Sequence, residues 1–434
     1  MKYWGKQTKQ ALENFPFPVP PVHLELIYAM TEIKKAAAFA NLKAGDLSKD
    51  SASAIVVAAD EIIRGKHDDQ FILPSIQGGA GTSINMNVNE VLASRATAIL
   101  KKKKISVHPN DHVNMSQSTN DVNPSALKLA LMRLTHELLT ATDTLIDAFA
   151  KKADEYKNIR KLARTHLQDA IPTTAGAEFD SYKETIIRDK KRIVDATTYL
   201  YDLNLGGTAI GNAANASSLY IAHVYRELKK QTKIPFRKAT NLMSQTSSSS
   251  DFCHLSAVIT ILSMDISKIA TDLRILSSGP HGGIGEIILE ALQPGSSIMP
   301  GKVNPVAPES MNQIYYVISG KNLTIHQAAE ASCLELAIMF PVIADSLITS
   351  IKLLISGIEV FAKKCILTLK VNKERCKENL ERSTAYATLL TPKFGYDKVS
   401  RLVQKALKEN KTLREVILEE DILSEKEFDH ITQL

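Results

Sequence analysis

The run Gly295-Ser296-Ser297-Ile298-Met299-Pro300-Gly301-Lys302-Val303-Asn304-Pro305 brings two hydroxyls, one ammonium and one carboxamide together in an unbroken stretch. Two glycines and two prolines exclude a regular helix or strand, so the run is an irregular loop between helical patterns. Gly295 and Gly301 leave its backbone free to approach a ligand. These groups are donors suitable in kind for stabilising a developing negative charge. Taking a proton from a carbon beside a carboxylate creates an aci-carboxylate with two negative charges, which survives only where donors already point at it. Lys302 and Asn304 are such donors. Ser296 can act as the base if loop N–H groups and Lys302 stabilise its alkoxide, although serine is a poor base in water. Loop closure would exclude water and strengthen each contact.

Three other stretches carry groups of the same kind. Gln77-Gly78-Gly79-Ala80-Gly81-Thr82-Ser83 is a glycine-rich turn ahead of a helix expected over Val88 to Ile99. Backbone N–H groups and the Thr82 hydroxyl make it a site for a carboxylate, or else simply a helix cap. In His108 to Asp121, Ser118, Thr119 and Asn120 offer donors side by side. They also suit the N-terminal cap of the helix that follows, and both roles are compatible. Arg164-Thr165-His166-Leu167-Gln168-Asp169-Ala170 lies in a short break between two long helical patterns, which look like an antiparallel helical hairpin. A single histidine is weak evidence for a site. The case for His166 is its place beside Thr165 in that break.

The loop at 295–305 resembles the signature of the aspartase/fumarase superfamily, Gly-Ser-Ser-x-Met-Pro-x-Lys-x-Asn. Ser118-Thr119-Asn120-Asp121 resembles the family's second motif, and Thr165-His166-Leu167-Gln168-Asp169-Ala170 its third. The resemblance covers nearly the whole chain. It implies a homotetrameric lyase that releases fumarate from a small dicarboxylate substrate, with sites shared between chains. Ser296 is then the base. Thr82, Ser118, Thr119, Asn120, Thr165, His166, Lys302 and Asn304 bind substrate, and Glu309 stands behind His166, fixing its tautomer. Gly79-Ala80-Gly81-Thr82-Ser83, Ser118-Thr119-Asn120 and Asn304-Pro305-Val306 favour aspartate ammonia-lyase. Gly207 and Gly395-Tyr396-Asp397 also suit the class II fumarases, which are the alternative. A catalytically silent helical scaffold would lack the base or the lysine, and both are present. Departures from the family pattern fall at Phe340, Ala337, His281-Gly282-Gly283 and Asn212-Ala213-Ala214-Asn215.

The elements that must hold these groups are helices. Apolar periodicity predicts helices from about His23 to Asn41, Ser51 to Arg64, Ser125 to Tyr156, Thr174 to Asp202, Phe252 to Ser277 and Ala307 to His326. Another is expected from Ala329 to Leu369, kinked at Pro341. Residues 1 to about 20 read as an extended arm ending in Phe15-Pro16-Phe17-Pro18, and Leu389 to Asp397 as a loop. The expected fold class is mainly α. The resemblance implies three domains, 1–113, 114–370 and 371–434, with a central bundle of five long helices assembling into a twenty-helix tetramer core.

Composition sets the remaining bounds. With 434 residues the chain is long enough for a large core. Apolar residues make up 44% and charged residues 23%, as in ordinary globular proteins. No run of about 18 apolar residues appears, so no membrane span is expected. Met1 to Gly5 lacks the apolar core of a signal peptide, and a cytoplasmic protein is expected. The net charge of +6 is modest, and Lys101 to Lys104 comes without aromatic residues or a nucleic-acid motif. No nucleic-acid partner is expected. Cys253, Cys333, Cys365 and Cys376 are scattered and read as free buried thiols. Without HExxH, a P-loop or a clear GxGxxG, no metal, nucleotide or other cofactor is expected.

Overall fold

The computed structural model describes residues 2–432. The order of elements is α1 (Lys6–Asn14), α2 (Leu24–Ala44), α3 (Lys49–Ile63), α4 (Thr82–Ile99), α5 (Thr119–Glu155), β1 (Arg160–Thr165), β2 (Gln168–Thr174), α6 (Ala175–Thr197), β3 (Asp202–Leu203) and α7 (Ser218–Thr232). There follow β4 (Arg237–Lys238), α8 (Leu242–Ser247), α9 (Ser250–Leu276), β5 (Ile287–Ile288), α10 (Val306–Glu330), α11 (Phe340–Phe361) and β6 (Lys370–Val371). Five short helices close the chain: α12 (Lys373–Arg382), α13 (Ala387–Phe394), α14 (Tyr396–Glu409), α15 (Leu413–Glu419) and α16 (Glu425–Thr432). The fold is mainly α, and α5, α6, α9, α10 and α11 are its long helices.

The chain forms two compact units. One comprises 1–139, 191–261 and 316–354, the other 140–190, 262–315 and 355–434. In the first, α2 is buried along most of its length, through Leu26, Ile27, Met30, Ile33, Ala37 and Ala40. In the second, Leu380, Leu390, Val416, Ile417 and Phe428 form a small core for the short C-terminal helices. Ser250–Leu276 and Phe340–Ile366 are long and apolar enough to cross a membrane, but more than half of each apolar window is buried inside the protein. That is the pattern of core helices.

Several expectations are corrected. The arm at 1–20 contains a helix, α1. Its first N–H groups, from Gly5, Gln7 and Thr8, donate to the buried carboxylate of Glu90 at 2.8, 2.8 and 3.1 Å. A remote acid thus supplies the cap that the local sequence lacks. Helix α5 starts at Thr119 rather than Ser125 and carries Pro124 inside it; the Asn120 carbonyl that the proline cannot serve accepts from Asn204 Nδ2 at 3.0 Å instead. The helix expected over 329–369 is two elements. Residues 331–339 turn between α10 and α11, and Pro341 sits in the first turn of α11 instead of kinking it. Leu389 to Asp397 is helix on both sides of Gly395. The break at 160–174 is an antiparallel β-hairpin. Cys365 and Cys376 are buried, but Cys253 is half-buried and Cys333 exposed.

Candidate active site

The expected site residues divide between the two units. Thr82, Ser118, Thr119 and Asn120 belong to the first, and Thr165, His166, Ser296, Lys302, Asn304 and Glu309 to the second.

In the first unit, Gly79–Gly81 form a tight turn with positive φ at Gly79, Ala80 and Gly81. Thr82 then opens α4, six residues before the expected Val88. The sequence hides this start because Asn85, Asn87 and Asn89 interrupt the apolar period while being buried. Asn85 and Asn89 build the neighbouring turn, while Asn87 Nδ2 donates to Gln70 O at 3.2 Å. Asn85 Nδ2 donates to Asn114 Oδ1 at 3.1 Å and to Thr119 Oγ1 at 3.3 Å, and Asn89 Nδ2 to Asn114 Oδ1 at 3.2 Å. Their i, i+4 spacing was the available signal. The Thr82 hydroxyl is exposed and donates to Gly79 O at 2.7 Å. Ser118 acts as a cap, its Oγ accepting from Asn120 N–H at 3.2 Å. Asn120 Nδ2 donates to Ala209 O at 2.7 Å.

In the second unit, Thr165 pairs with Gln168, so His166 and Leu167 form a two-residue hairpin turn. Their φ values are 53° and 61°, a primed turn built without glycine. Such backbone strain persists only where the surroundings enforce it. Thr165 and His166 are exposed at the tip. Below them the hairpin is anchored by Glu286. This buried carboxylate accepts from Arg164 Nη2 at 2.8 Å and Asn379 Nδ2 at 2.9 Å, and lies 3.2 Å from Lys161 Nζ. Burial pushes the Glu286 carboxyl up, but Arg164, Lys161 and Asn379 outweigh it and hold it below its usual range.

The loop at 295–305 is built around two internal contacts. Ser296 Oγ accepts backbone N–H groups from Ile298 at 3.1 Å and Met299 at 3.2 Å. Asn304 Nδ2 donates to Gly295 O at 2.7 Å and closes the neck of the loop. A Cβ at Gly295 would lie 2.0 Å from Lys302 O, so only glycine fits there. Lys302 is exposed, and Pro300–Pro305 line a cavity of about 630 Å³ together with Ser277, Gly279 and Asn372. Glu309 lies in the first turn of α10. Among the described residues, His166 and Glu309 make no hydrogen bond or ion pair with each other within the chain. Also among the described residues, no group of three or more His, Cys, Asp or Glu is placed to hold a metal ion.

Each unit therefore presents short donors on tight turns, and the second adds a hydroxyl already facing N–H groups. The chain matches the family model described as Lyase over residues 1–320 and that described as Fumarase C C-terminus over 387–434. It is 44% identical over 432 residues to the aspartate ammonia-lyase of a Bacillus species, covering 99% of this chain and 92% of that protein. It is 40% identical over 433 residues to the class II fumarate hydratase of Bacillus anthracis, covering 99% of this chain and 94% of that one. The crystal structure of a cobalt-bound fumarate lyase:delta crystallin from Brucella melitensis superposes with a TM-score of 0.96 at 41% identity, covering 99% of this chain and 95% of that chain. On these matches, which span the long helices, the signature loop and the C-terminal helices, the chain belongs to the aspartase/fumarase superfamily of lyases.

Proposed function

We propose that this protein eliminates ammonia from L-aspartate to give fumarate, reversibly. The observation that carries the reading is Ser296 Oγ, which accepts the Ile298 and Met299 N–H groups. Two preorganised donors stabilise an alkoxide, and that is what a serine base requires. Ser296 takes the proton from C3 of aspartate. The electron pair left behind spreads into the adjoining carboxylate as an aci-carboxylate. It then forms the C2–C3 double bond as the C2–N bond breaks and ammonia leaves with its electron pair. Ser296 returns its proton to solvent. Lys302 offsets the developing charge. Thr82, Ser118, Thr119, Asn120, Thr165 and Asn304 hold the carboxylates and amino group, and His166, backed by Glu309, handles substrate and protons. The 44% identity to an aspartate ammonia-lyase supports aspartate as substrate.

The second reading is fumarate hydratase, supported by relatives of that kind at 40% identity. Incubating the purified protein with L-aspartate, L-malate and argininosuccinate in parallel separates the readings through the ultraviolet absorbance of fumarate. The expected result is fumarate and ammonia from L-aspartate without added nucleotide or flavin. Malate dehydration with no aspartate turnover would replace the proposal with the fumarase reading. No turnover of any of the three would favour a silent scaffold.

The working assembly is a homotetramer with sites shared between chains and a domain scheme of 1–113, 114–370 and 371–434. Exposed apolar side chains on the long helices support the oligomer: Ile187 and Val194 on α6, Met264 on α9, Val317 and Leu323 on α10.

A further inference from the structure

We propose that Asp121 and Asn123 are positioning residues that register three backbone segments, Gly79–Thr82, Ser118–Asn120 and Gly206–Ala209, on the first turns of α5. The inference rests on the reading that Thr82 and Ser118–Asn120 hold the substrate.

Asp121 is fully buried and accepts three backbone N–H groups. Its Oδ1 accepts the Ser118 N–H at 2.8 Å. Its Oδ2 accepts the N–H groups of Gly206 at 2.9 Å and Thr208 at 3.1 Å. The first bond is a local cap. The other two cross to a segment more than eighty residues away, which no cap requires. Asn120 ties the same segment from the other side through Ala209 O.

Asn123, also buried, faces the other way. Its Nδ2 donates to Ala80 O at 3.1 Å and Gly81 O at 3.2 Å. Two carbonyls in front of one carboxamide fix which end is the NH₂. The fit is tight, since a Cβ at Gly81 would lie 2.7 Å from that nitrogen. Gly81, at φ +78°, is the residue directly before Thr82. Moving Asn123 therefore moves the Thr82 hydroxyl.

Three N–H donors converge on Asp121, so it works as an acceptor only, in the ionised form. The charged and titratable groups facing it are the buried Lys34 amine of α2, which burial pushes down to about 7 so that it is protonated through the acid range, and the Tyr220 and Tyr225 hydroxyls of α7. Burial pushes the Asp121 carboxyl up, to about 6, while the three N–H groups and Lys34 pull the other way. Both tyrosine hydroxyls are raised above their ordinary range by burial and stay neutral. A raised carboxyl stabilises the fold more at low pH, and that gain is lost as pH rises through about 6. Positioning runs the opposite way and improves as Asp121 ionises. The opposition separates a positioning role from a merely structural one.

The test uses the full-length protein, with Asn123→Ala and Asp121→Asn. Calorimetry gives the Kd for succinate, a non-reacting dicarboxylate. Steady-state kinetics give KM and kcat for whichever substrate the protein turns over. Each variant should raise both Kd and KM about tenfold, the loss expected for bonds of this kind, with a smaller change in kcat. In the wild type KM should climb as pH falls below about 6. In Asp121→Asn that acid limb should vanish. Cooperatively melting variants with wild-type Kd and KM would overturn the proposal. So would an acid limb unchanged in Asp121→Asn. If that variant does not fold, Asn123→Ala decides alone. Turnover of malate and not aspartate would sink the aspartase reading while leaving this test intact.

Discussion

Ser296 must hold a negative charge before it can take a proton, and its surroundings already favour that charge. With two N–H groups on its oxygen, Ser296→Ala should lower kcat by about a hundredfold or more, while succinate still binds. Ser297, exposed on the same loop, should give a milder loss as alanine. Equal losses in the two would leave the base unassigned, and an active Ser296→Ala enzyme would move attention to His166. Gly295→Ala probes the loop differently, since its Cβ would meet Lys302 O at 2.0 Å. Activity should collapse while the melting temperature holds, because the loop buries little. A drop in melting temperature matching the loss of activity would show that the neck supports the fold. Glycine and proline content made the loop legible as a loop, and the order of its side chains marked Ser296 and Lys302. Which N–H groups face Ser296 depends on the loop's own dihedral angles, to which residue type is nearly blind. Asp121 and Asn123 escaped for a related reason. At a helix start, Asn and Asp read as ordinary caps, and their long-range partners cannot be inferred from spacing.

The long helices were legible because apolar residues recur with helical period over many turns. The hairpin of β1 and β2 was not. Its strands are short and show no clean alternation of buried and exposed residues, and its turn is His166-Leu167 where a primed turn ordinarily uses Asn-Gly. What holds it is the buried Glu286, which lies far along the chain from Lys161 and Arg164. Glu286→Gln removes the charge that both cations face. That should destabilise the protein by about 3 kcal/mol or more at neutral pH and release the hairpin tip that carries Thr165 and His166. The folded-state pKa of Glu286 is depressed, so its contribution is complete above the ordinary carboxyl value of 4.5 and is lost as pH falls below it. Urea titrations of wild type and variant should therefore differ fully at pH 7 and converge in acid. A constant difference across that range would mean that the glutamate acts through packing and not through charge.

At the scale of the molecule, the decisive quantity is helix length. Helix α5 has 37 residues, about 55 Å of helix. Exposed apolar residues recur on α6, α9 and α10, while the same helices bury others such as Phe179, Leu262 and Ile318. A helix apolar on more than one side asks for more than one neighbour, and identical chains are the economical supply. The proposal that sites draw on several chains has a direct consequence. Ser296→Ala and Thr165→Ala should each be inactive alone. Unfolded together and reassembled, they should regain part of the activity, because some sites would receive Ser296 from one chain and Thr165 from another. Sedimentation should place the reassembled species at four chains. If both residues of every site came from the same chain, no mixture would contain an intact pair. Mixed tetramers verified by mass labelling would then stay inactive, and the shared-site proposal would fail even with the tetramer intact.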